Sequence, residues 1–111
     1  MIAAIWNKRW WTTATDARML DYILNKAAED AGFNIVQDMG HDFQPYGHTA
    51  LWLLSESHLA VHTFPEAGKS YIELSSCIKA KFDAFVEIIE ASPELRPEPV
   101  ILFGQQEANS L

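Results

Sequence analysis

The sequence predicts an α+β fold: a two-layer sandwich in which an antiparallel sheet is covered on one face by two helices. Three observations carry this. Strand and helix signals alternate in the order β-α-β-β-β-α-β; two segments, Leu20, Ile23, Leu24, Ala27, Ala31 and Phe82, Phe85, Val86, Ile89, repeat apolar residues at helical spacing; and a hairpin signal surrounds Pro65 and Gly68. The 111 residues predict a single domain, 1–111. Its core is modest, so association with a second copy would help bury apolar surface.

Ile2 to Thr12 carries Ile5, Trp6, Trp10 and Trp11 and predicts a first strand, interrupted by a bulge or bend at Asn7-Lys8-Arg9. Thr13 with Asp16 has the spacing of a capping box ahead of the first helix, and Gly32 stops that helix. Phe33 to Met39 reads as a second strand, and Gly40 to Gly47 as a loop rich in glycine, proline and aspartate. Thr49 to Leu54 is nearly continuous in apolar residues, which predicts a strand covered on both faces. The second helix ends near Ser92-Pro93, because proline disfavours helix at the preceding residue. Arg96 to Pro99 reads as a stiff connector, Val100 to Phe103 as a last short strand, and Gly104 onward as a loose tail. There is no internal repeat of fixed period.

The stretch Ser55 to Cys77 is the hairpin. Leu59, Val61 and Phe64 supply one strand, Tyr71, Ile72 and Leu74 the other, and Glu66-Ala67-Gly68 the turn, with glycine in a left-handed conformation. If Pro65 faces Lys69, counting outward sets Ser57 directly across from Cys77, a hydroxyl beside a thiol at the open end.

A net charge of -7, with eight lysines and arginines spread along the chain, argues against nucleic acid or an anionic membrane and suits a cationic small substrate. One cysteine excludes an internal disulfide framework. The start at Met1 shows no apolar leader and no spanning segment, so the expected location is cytoplasmic. His58 and His62 would share a metal ion on a helix, but on a strand they are about 13 Å apart, so no metal is expected.

Glu56-Ser57-His58-Leu59-Ala60-Val61-His62-Thr63-Phe64-Pro65-Glu66, with Cys77 twenty residues after Ser57, resembles the self-processing site of the bacterial-type S-adenosylmethionine decarboxylase proenzymes. The match is specific from His41 to Cys77 and looser elsewhere. The resemblance implies that the fold is that family's and that the chain severs itself between Glu56 and Ser57. Residues 1–56 and 57–111 would be the products, and Ser57 becomes a pyruvoyl cofactor that holds the substrate amine as a Schiff base. It further implies that Cys77 returns a proton during decarboxylation, that Thr49 and His62 assist self-cleavage, that Phe43 stacks on adenine and that Glu66 holds the ribose hydroxyls. The product would supply aminopropyl groups for spermidine synthesis.

Extended strand advances about 3.3 Å per residue, which sets His62 roughly 16 Å and Thr49 roughly 26 Å from Ser57 of the same chain. A homodimer, with Ser57 and Cys77 of one protomer meeting Phe43, Thr49, His62 and Glu66 of its neighbour, brings them together. Three departures bear on substrate. Phe64 stands where the family has tryptophan, Ile78 follows Cys77 in place of glycine, and IWNKRWWTT replaces the usual N-terminal strand. Relatives of this superfamily act on arginine or ornithine, one alternative; a non-processing dimeric binding domain is another.

Overall fold

The computed structural model describes residues 3–100. The elements in order are β1 (Trp6–Thr12), α1 (Ala17–Asp30), β2 (Ile35–Asp42), β3 (His48–Leu54), β4 (Ser57–Phe64), a 3-10 turn (Pro65–Ala67), β5 (Lys69–Ser76), α2 (Lys79–Glu90) and β6 (Glu98–Pro99). The six strands form one antiparallel sheet in the order β2-β3-β4-β5-β1-β6. Both helices lie on one face, which gives the expected two-layer sandwich. Between the layers Trp10, Leu20, Leu24, Ile72, Leu74 and Phe85 are fully buried, each worth about 1.5–3 kcal/mol of transfer free energy. Trp10 also donates its indole N–H to Glu90 at 3.0 Å, tying β1 to α2.

Several local expectations change. β1 pairs with β5 without a bulge from Trp6↔Ser76 to Thr12↔Ser70. Asn7 and Arg9 do not interrupt it because both reach Glu73 across the sheet, while Lys8 pairs with Glu90 of α2. The irregularity lies instead in β2, between Ile35 and Gln37. The cap of α1 is Asp16 itself, accepting from the Met19 N–H at 3.0 Å, rather than Thr13; the helix ends at Ala31 ahead of Gly32, whose φ of 94° is left-handed. β2 continues through Gly40 and His41 to Asp42, so the loop shrinks to 43–47, closed by the Phe43 N–H on the Gly47 carbonyl at 2.8 Å.

β3 is not covered on both faces. Its burial alternates, with Leu51 44% and Leu53 52% exposed, because its apolar run serves two faces and both helices lie against only one. Glu98 and Pro99, expected in a connector, pair with Trp11 and Trp10 at the sheet edge, where proline's missing N–H breaks no ladder. Of the expected strand Val100 to Phe103, only Val100 lies within the described residues; its N–H donates to the Arg9 carbonyl at 2.9 Å.

Candidate active site

The hairpin closes one residue earlier than the turn chemistry suggests. Pro65 opens the 3-10 turn, where its missing N–H is no loss, and Gly68, at φ 67°, closes it with its N–H on the Pro65 carbonyl at 3.1 Å. Phe64, not Pro65, therefore faces Lys69, and Ser57 faces Ser76, not Cys77. This register sets Leu59 against Leu74 and Val61 against Ile72, so apolar residues meet on the helix-covered face. Ser57 is on that same face. Its hydroxyl, 8% exposed, donates to the Ser76 hydroxyl at 2.7 Å.

Cys77 remains a neighbour by another route. Its backbone N–H donates to the Glu56 carbonyl at 3.2 Å, and its side chain is exposed. Ser55 and Glu56 form the tight turn between β3 and β4, and Glu56 has a φ of 60°. That left-handed conformation is strained in a non-glycine residue, at roughly 1–3 kcal/mol. The bond from Glu56 to Ser57 thus joins a strained residue, whose carbonyl is hydrogen-bonded, to a serine whose hydroxyl is held.

Phe43, Thr49, His62 and Glu66 come together at the opposite end of the hairpin. With Tyr46 and Phe64 they border a cavity of about 250 Å³ beside the turn. Thr49 and His62 face each other across β3 and β4, and the Thr49 hydroxyl lies 2.8 Å from His62 Nδ1. Phe43 is half exposed and meets His41 edge-on, with ring centroids 4.6 Å apart. Behind this end, buried His48 bridges Asp42 of β2, at 2.6 Å, and Asp21 of α1, at 2.9 Å. Arg18 adds a second tie to Asp42 at 2.5 Å. These contacts fix the residues adjoining Phe43 and Thr49 to the helix layer. His48, Arg18 and the two carboxylates, Asp21 and Asp42, were not singled out from sequence, since only tertiary pairing joins them.

Cross-strand pairing lines up His41, Thr49, His62, Tyr71 and Trp11 in one row across the helix-free face. His62 stacks on Tyr71 at 6.1 Å, and Tyr71 meets Trp11 edge-on at 5.3 Å. Burial holds the His62 imidazole below its ordinary range, against an opposing pull from the Glu73 carboxylate. Burial also pushes the Tyr71 phenol up, as does its hydrogen bond to Glu73 at 2.8 Å. Burial would raise Glu73, but hydrogen bonds from Tyr71 and Asn7 and the Arg9 charge outweigh it and leave that carboxyl low. At neutral pH the row therefore presents a neutral imidazole and a neutral phenol beside a carboxylate.

His62 lies five residues along β4 from Ser57, and the burial alternation of β4 assigns Ser57 to the helix-covered face and His62 to the free one. Within one chain, the two ends are about 16 Å apart. On β2 and β3 the free face is apolar: Met39, Leu51 and Leu53 are exposed there, beside a cavity of about 380 Å³ that also touches Gln37 and His58. Among the described residues no helix is long and apolar enough to cross a membrane, and no cluster of three or more histidine, cysteine, aspartate or glutamate side chains suits a metal ion.

Comparison with known proteins follows the same lines. The chain is 44% identical over 62 residues to an S-adenosylmethionine decarboxylase proenzyme 2 of Bacillus cereus, covering 56% of this chain and 50% of that protein. It is 37% identical over 62 residues to the S-adenosylmethionine decarboxylase proenzyme of Thermotoga maritima, covering 56% and 48%. The matched stretch thus spans about half the length of these relatives. The fold is similar to the crystal structure of the adenosylmethionine decarboxylase from Aquifex aeolicus, with a TM-score of 0.70 at 19% identity over 96% of this chain and 100% of that one. The family model for S-adenosylmethionine decarboxylase matches residues 11–100, and the chain belongs to that family.

Proposed function

We propose that this chain is a proenzyme that severs itself between Glu56 and Ser57 and, once processed, decarboxylates S-adenosylmethionine. The observation that carries the proposal is the junction itself, where the Cys77 N–H meets the Glu56 carbonyl at 3.2 Å and the Ser57 hydroxyl is fixed at 2.7 Å from Ser76. Attack of Ser57 Oγ on that carbonyl carbon places negative charge on its oxygen, where a backbone N–H stabilises it. The C–N bond then breaks to leave an ester and a free amine on Ser57. Removal of the Ser57 α-proton expels the Glu56 carboxylate, and hydrolysis of the resulting enamine releases ammonia to leave a pyruvoyl terminus.

The residues present fit such a group. The cut falls in the two-residue turn between β3 and β4, so it breaks no strand, and the fragments 1–56 and 57–111 stay paired through β3–β4 and β1–β5. His62 is the base for the α-proton. In the tautomer whose Nδ1–H donates to the Thr49 hydroxyl, Nε2 carries the lone pair that accepts. Because His62 of the same chain is remote from Ser57, it acts on the junction of a second protomer, and the exposed Met39, Leu51 and Leu53 supply the apolar contact between the two free sheet faces. A pyruvoyl group at position 57 would supply the electron sink for decarboxylation. The exposed Cys77 thiol delivers the proton that replaces the carboxylate. Phe43 and Glu66, at the rim of the turn cavity, hold adenine and ribose, and the net charge of -7 favours a sulfonium cation. The product is an aminopropyl donor for spermidine synthesis in the cytoplasm.

Denaturing mass spectrometry tests this directly. The purified protein should give two fragments, the C-terminal one starting with a pyruvoyl mass, and Ser57→Ala should remain whole while still assembling as a dimer. A 12.5 kDa species intact over days, without carbon dioxide release from any substrate, would leave a binding domain in place of an enzyme. Carbon dioxide released from labelled arginine or ornithine but not from S-adenosylmethionine would reassign the substrate.

A further inference from the structure

Ser76 is absent from the motif that draws attention to this hairpin, and it is the most completely buried polar neighbour of the junction, at 1% exposure. Its hydroxyl has three contacts: it accepts from Ser57 Oγ at 2.7 Å, accepts from the Ile78 N–H at 2.9 Å, and lies 3.4 Å from the Ile78 carbonyl, to which it can donate. The Ile78 contacts give a short turn ahead of α2, whose first residue is Lys79 and whose cap position, Ile78, has no side-chain cap bond. A role limited to starting α2 accounts for those two contacts. It does not account for the third. Ser57 donates to an oxygen already fixed by the Ile78 N–H, so the Ser57 proton is assigned and its lone pairs are left free. The next residue, Cys77, binds the Glu56 carbonyl through its backbone N–H. The dipeptide Ser76-Cys77 therefore holds the nucleophilic oxygen through a side chain and the carbonyl it attacks through the main chain.

We infer that Ser76 is a positioning residue for the first step of self-cleavage, orienting the Ser57 hydroxyl toward the Glu56 carbonyl; this rests on the assignment of Ser57 as the processing residue. In that step the Ser57 Oγ–carbonyl carbon bond forms and the Glu56–Ser57 C–N bond breaks. The proton that leaves Oγ ends on the liberated Ser57 nitrogen. Ser76, a hydroxyl that both accepts and donates, holds that proton in a hydrogen bond without retaining it. The remaining steps belong to other residues, so the effect of Ser76 is confined to ester formation.

The test follows fragmentation by denaturing mass spectrometry, with hydroxylamine to cleave any ester that has formed. Ser76→Ala should slow fragmentation roughly tenfold or more, and Ser76→Thr, which keeps the hydroxyl, should restore it. In a His62→Ala background the ester should accumulate and hydroxylamine should release both fragments. Adding Ser76→Ala should suppress that release, an effect that weakened packing of α2 does not produce if the thermal unfolding midpoint is held within a few degrees. Should Ser76→Ala fail to fold, Ser76→Cys, near-isosteric and a weak acceptor, carries the same expectation. Fragmentation at the unsubstituted rate in a folded Ser76→Ala or Ser76→Cys protein overturns the inference, as does undiminished ester in the double variant. An unsubstituted protein that never fragments overturns this inference and the proposed function together.

Discussion

The two ends of the β4–β5 hairpin are built on opposite principles. At the turn end, Phe43, Thr49, His62 and Glu66 border a cavity on the helix-free side, and their side chains are half-buried or exposed. At the other end, Ser57 and Ser76 are closed in on the helix-covered face, while Glu56 and Cys77 reach solvent. The open end sets a half-buried imidazole beside a cavity. A closed end fixes a backbone bond and keeps water from its hydroxyl. The two ends lie on opposite faces of the sheet, about 16 Å apart within one chain, and under the proposed function the open end of one copy completes the closed end of another.

The largest expected effect comes from separating the halves. His62→Ala should slow fragmentation by about 10²–10⁴-fold, the usual contribution of a general base, and Ser57→Ala should abolish it. When the two variants are mixed and allowed to exchange subunits, the His62→Ala chains should be cut, because a mixed dimer contains one intact pairing. Mass spectrometry with one chain isotopically labelled reads this, and no cleavage in verified mixed dimers would confine each site to one chain. Next in size, Leu51→Asp places a charge on the apolar free face and should yield folded monomers, seen by sedimentation, whose fragmentation falls at least tenfold.

Smaller effects sharpen the functions of the open end. Phe43→Ala should raise KM for S-adenosylmethionine roughly tenfold, a loss comparable to one aromatic stacking contact, while fragmentation proceeds normally. Smallest is a pH effect. Burial lowers the His62 pKa, so the base stays neutral and competent below the ordinary imidazole range, and fragmentation should lose rate only at correspondingly acidic pH. Glu73 opposes that shift. Glu73→Gln should therefore move the acid limb of the pH–rate profile further down; a limb that stays or moves up would mean that Glu73 does not act on His62 by its charge.

Much of this was legible in the chain. The helical apolar repeats fix both helices, since residues three and four apart share a face whatever else the chain does. The left-handed Gly68 fixes the turn. The motif from Glu56 to Glu66 runs from the β3–β4 turn to the β4–β5 turn, the two ends of the proposed site. The register was legible too, but through a different signal: opposing Leu59 to Leu74 and Val61 to Ile72 satisfies the hydrophobic alternation, whereas opposing Ser57 to Cys77 sets apolar residues against polar ones. A one-residue slip transfers every side chain to the other face, which is why Ser76 and not Cys77 faces Ser57.

Sequence by itself determined the element order, the sandwich and the chemical types gathered near each end of the hairpin, because short-range spacing and residue chemistry suffice for those. Tertiary structure alone decided that β3 leaves Leu51 and Leu53 uncovered, that Thr49 meets His62, that His48 ties the Phe43 loop to α1, and that the Cys77 N–H reaches the Glu56 carbonyl. Those facts depend on how strands far apart in the chain pair and on which face the helices choose. Such long-range pairing is set by burial of the whole core rather than by any residue's local preference.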